Sequence, residues 1–84
     1  MILINMVKNY FPTDNITNMY LLPDEYIDEK DRYGFTALIY ASKLGYDNIV
    51  QFLIDRKANL NIRDNNGLTA LMHASIKGNS KNRK

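Results

Sequence analysis

Apolar positions in the middle of this chain change their period twice within thirty residues. Val50, Leu53 and Ile54 fall at i, i+3 and i+4, and Ile49 and Phe52 widen the stripe. This predicts an amphipathic helix that starts near Asp47, whose negative charge suits a helix N-terminus. Just upstream a shorter helix is predicted, with Leu38 and Ala41 facing inward and small Ala37 and Ser42 permitting close approach. Thr36 stands where an N-cap belongs, and Gly45 is the expected left-handed cap at the other end. Before it, "DRYG" from Asp31 reads as a turn, because Asp can bond its own downstream backbone and Gly34 tolerates positive φ. After the second helix, "NLNIRDNNG" alternates through Leu60 and Ile62 into Asn66-Gly67, a tight-hairpin signal. The unit is turn, helix, tight turn, helix, hairpin. Neither helix can bury its face alone, so such units must stack.

The unit recurs. "DRYGFTALIYASKLG" from Asp31 and "DNNGLTALMHASIKG" from Asp64 share Asp, Gly, Thr, Ala, Leu, Ala, Ser and Gly in order, at an offset of 33. Phe35 matches Leu68 and Ile39 matches Met72 in apolar character. A fainter copy lies upstream, where "DNI" at Asp14–Ile16 is echoed by "DNI" at Asp47–Ile49. Residues 1–30 are therefore read as a worn N-terminal capping unit, 31–63 as a complete unit, and 64–78 as the hairpin and first helix of a third. Gly78 is the expected end of that helix, and 79–84 a basic polar tail.

On these residues the chain resembles the ankyrin repeat, D-x-x-G-x-T-P-L-H-x-A-A-x-x-G. The departures are local. Ala37 and Ala70 replace the motif proline, and Ile39 and Met72 replace its histidine, so the family's Thr–His hydrogen bonding is not expected. His73 stands one position too late to supply it. Lys57 occupies the place of the glycine that closes the second helix, so it must hold the left-handed conformation or open the turn. The resemblance implies an all-α helix-turn-helix solenoid with hairpin-like turns. It also implies a non-catalytic module that binds another protein on a concave face of hairpin tips and first helices. On matching positions that face comprises Arg32, Tyr33, Phe35, Lys43 and Leu44, then Arg63, Asn65, Asn66, Leu68, Ile76 and Lys77. Exposed Tyr, Phe and Arg side chains at a turn also have the make-up of an interface hot spot. A regulatory inhibitor or adaptor that occludes an enzyme or receptor is the alternative form of the same module.

Composition narrows the field further. The 84 residues allow one small domain, and their 45% hydrophobic share is that of a globular chain. Cysteine is absent, which removes disulfides, thiolate metal sites and thiol catalysis. The N-terminal "MILINMVKNYF" lacks the basic start and small-residue cleavage site of a leader, and no stretch approaches the ~20 apolar residues of a membrane span. Abundant Asn, Ile, Lys and Tyr point to AT-rich codons, as in some intracellular bacteria and large DNA viruses. The cytoplasm, including a host's, is the expected compartment. "NIT" at Asn15–Thr17 is then a chance sequon.

No catalytic constellation emerges. His73 has no second His or Cys beside which to hold a metal and is read as a surface or groove-lining residue; no cofactor is expected. Ser42 and Ser75 are read as packing residues. The acids Asp24, Glu25, Asp28, Glu29 and Asp31 lack the spacing of a calcium loop and read as solvated surface. The net charge is +2, but Lys77, Lys81, Arg83 and Lys84 supply more than all of it, so residues 1–76 are acidic on balance. That disfavours nucleic acid, which the basic end alone would contact. If the third unit has no second helix, Leu71, Met72 and Ala74 are left without cover on one side. Self-association, a partner over that edge or poor solubility is then expected, because terminal repeats normally present a polar outer face.

Overall fold

The Asp31 turn leads into the best-buried helix of the molecule. The Thr36 side chain accepts the Ile39 N–H at 3.2 Å and so caps the helix Ala37–Leu44, which ends on Gly45 at φ 80. The computed structural model of the chain describes residues 2–11 and 16–82, with 78–82 in backbone only. Within these are five α-helices: α1 (Ile2–Lys8), α2 (Thr17–Tyr20), α3 (Ala37–Leu44), α4 (Asp47–Asp55) and α5 (Ala70–Asn82), with a 3-10 turn at Asp24–Tyr26. No strand occurs among the described residues. The hairpin-like connections are single turns, the later one closed by the Gly67 N–H on the Asp64 carbonyl at 2.9 Å and the Asp64 N–H on the Leu68 carbonyl at 2.9 Å.

First helices pack side by side, α1 on α3 and α3 on α5, while α4 lies behind α3. Subtracting the repeat offset of 33 from α3 and α4 lands on α1 and α2, so the N-terminal unit keeps the register of the others. Asp14 and Asn15, which carry the "DNI" echo and the sequon, lie outside the described residues, as do Arg83 and Lys84 of the basic tail. The core joins Leu3, Ile4 and Val7 of α1, Ala37, Leu38, Ile39 and Ala41 of α3, and Ile49, Phe52 and Leu53 of α4. Fully burying each of the larger side chains contributes about 1.5–3 kcal/mol. Tyr10 ties the first unit to the second: its ring meets Tyr46 edge-on at 5.0 Å, and its hydroxyl accepts from the Asn48 amide at 2.7 Å.

Three details depart from the pattern reading. The buried stripe of α4 is centred on Ile49, Phe52 and Leu53, leaving Val50 half-buried and Ile54 exposed. The last two sit where only a further outer helix would cover them. Ser75 is exposed instead of packed, for the same reason. Third, α5 does not stop at Gly78 but continues to Asn82. The residues after Gly78 carry no apolar stripe to reward a turn back onto the stack, and a glycine inside a helix costs only about 1 kcal/mol. Lys57 does hold the left-handed conformation, at φ 65, which costs about 1 kcal/mol.

Candidate functional site

Each turn is built around one aspartate. Asp31 accepts the Tyr33 and Phe35 N–H groups on Oδ1, both at 2.9 Å, and the Tyr40 hydroxyl on Oδ2 at 2.6 Å. One repeat later Asp64 accepts the Asn66 and Leu68 N–H groups at 2.8 and 2.9 Å, and its Oδ2 lies 2.8 Å from His73 Nε2. An ionised carboxylate only accepts, so Nε2 carries the proton. Burial pushes both carboxyls up, but these hydrogen bonds outweigh it and hold Asp31 and Asp64 below the ordinary carboxylate range, with Lys8 assisting at Asp31. Desolvation and the bond to Asp31 raise the Tyr40 hydroxyl to about 12. His73 is thus a turn anchor with a side chain only 10% exposed, not a surface residue. Tyr40 and His73 stand one repeat apart and do the same work.

These anchors raise an aromatic cluster on the side of the stack formed by turns and first helices. Phe35 meets Tyr40 edge-on at 4.9 Å, His73 at 6.0 Å and Tyr33 at 6.1 Å. Cations cover the cluster: Arg32 lies 5.1 Å from the Tyr33 ring centre, Lys43 Nζ 5.2 Å from that of Phe35, and Lys8 Nζ 5.5 Å from that of Tyr40. Arg32, Tyr33, Phe35 and Lys43, expected on one face, are therefore brought together, with Tyr33 49% exposed and Phe35 half-buried.

The second set divides. Asn65 is occupied by repeat stacking: its N–H donates to the Tyr33 carbonyl and its amide to the Arg32 carbonyl, each at 3.0 Å. Arg63 donates to the Gly67 carbonyl at 3.0 Å and stays exposed, as does Asn66. Leu68 is half-buried, while Leu44, Ile76 and Lys77 are exposed near the far end of the first helices. The Lys77 side chain lies over Gly45, where its charge suits the C-terminus of α3. Pattern reasoning missed Lys8, Tyr40 and His73. The pairing of Tyr40 with His73 at the repeat offset, each nine residues after an Asp, was the available signal.

Among the acids near the middle of the chain, Asp24 pairs with Arg56 and Asp28 accepts the Asn59 N–H at 2.8 Å. They brace the connection between units. At the opposite edge of the stack an apolar groove of about 340 Å³ runs between Leu38, Val50, Ile54, Leu60, Leu71 and Ala74. Leu71 is 75% exposed beside it.

Short helix pairs stacked in register, with aspartate-anchored turns projecting along one side, define a helical repeat protein. A family model described as "Ankyrin repeats (3 copies)" matches residues 3–83, and the chain belongs to that family. Ankyrin repeats generally serve as protein–protein interaction modules and are generally non-enzymatic. The chain is similar to human transient receptor potential cation channel subfamily A member 1, at 46% identity over 62% of this chain and 5% of that protein. It is also similar to human M-phase phosphoprotein 8, at 40% identity over 64% of this chain and 6% of the other. A putative ankyrin repeat protein of Acanthamoeba polyphaga mimivirus is 45% identical over 57% of this chain and 12% of its own length. The chain thus spans only a small part of these relatives. No helix among the described residues is long and apolar enough to cross a membrane.

Proposed function

We propose that this chain is a non-catalytic module that holds a partner protein on the face made by its turns and first helices. Arg32, Tyr33, Phe35 and Lys43 are its centre, and Leu44, Arg63, Asn66, Leu68, Ile76 and Lys77 its extension; Asn65 supports the face from within. The observation that carries the reading is the half-exposed Tyr33–Phe35 pair, held by Asp31 and flanked by cations. Phe35 packs partly against the core while Tyr33 stands largely free of it, and Tyr and Arg dominate interface hot spots. An inhibitor or adaptor that occludes an enzyme or receptor is one way such a module acts. The cytoplasm is the proposed compartment, supported by the cysteine-free composition and the likeness to a viral protein. Affinity capture with the whole chain as bait tests the reading. Tyr33→Ala is expected to lose the captured protein while the helical circular dichroism stays intact, and undiminished capture refutes it.

A second reading rests on the apolar groove. Its exposed Leu71 and Ile54 favour contact with a second copy at high concentration. Light scattering checks this, and a monomer at every concentration counts against it.

A further inference from the structure

We infer that the partner segment recognised on the turn-and-first-helix face is acidic: a stretch of polypeptide bearing Asp or Glu side chains. This rests on the binding face proposed above and adds the chemistry of what it takes. Charge is sorted between the two sides of the repeat. Among the described residues the turns and first helices hold Lys8, Arg32, Lys43, Arg63 and Lys77, and their only acids are Asp31 and Asp64. The other acids among the described residues lie in the outer helices and the connections. Asp31 and Asp64 are also spent locally. Three hydrogen bonds converge on each carboxylate, so neither neutralises the cations in front of it by a direct ion pair.

Among the described residues none of these cations makes a direct ion pair with a carboxylate, although Lys8 lies near enough to Asp31 to favour its charged form. Arg32 donates to the Tyr33 hydroxyl at 3.1 Å, Arg63 to a backbone carbonyl, and Lys8 and Lys43 rest over rings. By contrast Arg56, on the outer side, is paired with Asp24. A recess of about 270 Å³ opens between α1 and the first turn, lined by Ile4, Asn5, Lys8, Asp31, Arg32 and Tyr33, with the Asp31 carboxylate already committed to its three hydrogen bonds. Its two cations suit a carboxylate side chain, with the Asn5 amide and Tyr33 hydroxyl as further donors, and the recess has room for such a group. The exposed aromatic cluster beside it takes apolar side chains of the same segment. A polypeptide is favoured over a nucleic acid because the cations are interleaved with aromatics on a narrow strip, while the outer side of the same small body is acidic.

The test is a random peptide library displayed on phage and panned against the whole chain. Selected peptides are expected to be enriched in Asp and Glu and to bind less tightly as salt rises. Lys8→Glu with Lys43→Glu should weaken them by about a hundredfold, since like charges across an interface cost several kcal/mol, whereas Lys57→Glu on the outer side should leave them unchanged. Circular dichroism confirms that each variant folds, and Lys8→Gln with Lys43→Gln gives a milder series should charge reversal unfold the chain. Peptides lost with Tyr33→Ala but carrying no acidic enrichment overturn this inference and leave the binding face standing. Peptides that survive all of these variants overturn the face itself. Tighter binding of a single-stranded oligonucleotide than of any selected peptide also overturns the inference, in favour of phosphate.

Discussion

Gly34 and Gly67 occupy the same place in successive turns, at φ 80 and φ 82. They differ in what lies outside them. A Cβ on Gly34 would meet the Asn65 side chain at 2.8 Å, the Asn65 backbone nitrogen at 2.9 Å and the Asp64 Cα at 3.0 Å; one on Gly67 would meet nothing within 4 Å. Alanine at either place incurs the left-handed penalty of about 1 kcal/mol. At Gly34 it must also push the next turn away. Backbone cannot yield as a flexible side chain does, and overpacking of this kind adds about 1–3 kcal/mol. Gly34→Ala should therefore cost about 2–4 kcal/mol and Gly67→Ala about 1 kcal/mol. For a chain of this size each kcal/mol lowers Tm by about 4–8 °C. Thermal and urea unfolding followed by circular dichroism at low protein concentration reads both variants. Equal losses would refute the reasoning: large ones would mean that Gly67 is covered too, small ones that the turns do not press on each other.

Other outcomes follow from the core, the turn anchors and the edge. Leu53 is fully buried between helices, so Leu53→Ala should cost about 3–5 kcal/mol in urea titration; a loss under about 1 kcal/mol would remove it from the core. Asp64 is depressed in the folded state, so its stabilisation is complete above its unfolded value of about 4 and is lost as pH falls through the folded one. Asp64→Asn keeps an acceptor for the turn N–H groups but no charge. It should be less stable at neutral pH and lose less on acidification, whereas a Tm profile parallel to the parent's contradicts the charge argument. Tyr40→Phe removes the hydroxyl from Asp31 and should cost about 1.5–3 kcal/mol, the range for a hydrogen bond to a charged group; an unchanged urea midpoint would show the bond to be idle. Leu71→Lys should suppress self-association without changing monomer stability, and light scattering that is unaltered speaks against the groove as the contact.

Most of the architecture was legible because its signals are local or periodic. Thr36 and Gly45 announce their caps by residue type, and Lys57 was left only two conformations by the glycine it replaces. The reading of residues 1–30 as a worn unit rests on the offset alone, since α2 is only four residues long and carries no readable stripe. The bond from His73 to Asp64 was not, because it joins a helix to a turn that precedes it, and only the folded path of the turn brings them together. Ile54 and Val50 were assigned inward from spacing. The spacing was right, but the side they face is one that only a further outer helix would close. The course of α5 through Gly78 was hidden for a similar reason, since a glycine ends a helix only where the following chain gains by turning back. On the candidate face, the Arg32–Tyr33–Phe35 turn was readable from the repeat. Lys8 was not, because it reaches the cluster from the preceding unit across the stack.

The central claim is that this small stack works through the side where its turns and first helices lie. Amide and side-chain chemical-shift mapping tests it most directly, with the isotope-labelled whole chain titrated by a peptide selected on it. The account predicts shifts that gather at Arg32, Tyr33, Phe35, Lys43 and the Tyr40 ring, with Gln51, Asp55 and Lys57 of the outer side unmoved. Shifts centred instead on Leu71, Val50 and Ile54, or spread along α4, would contradict it.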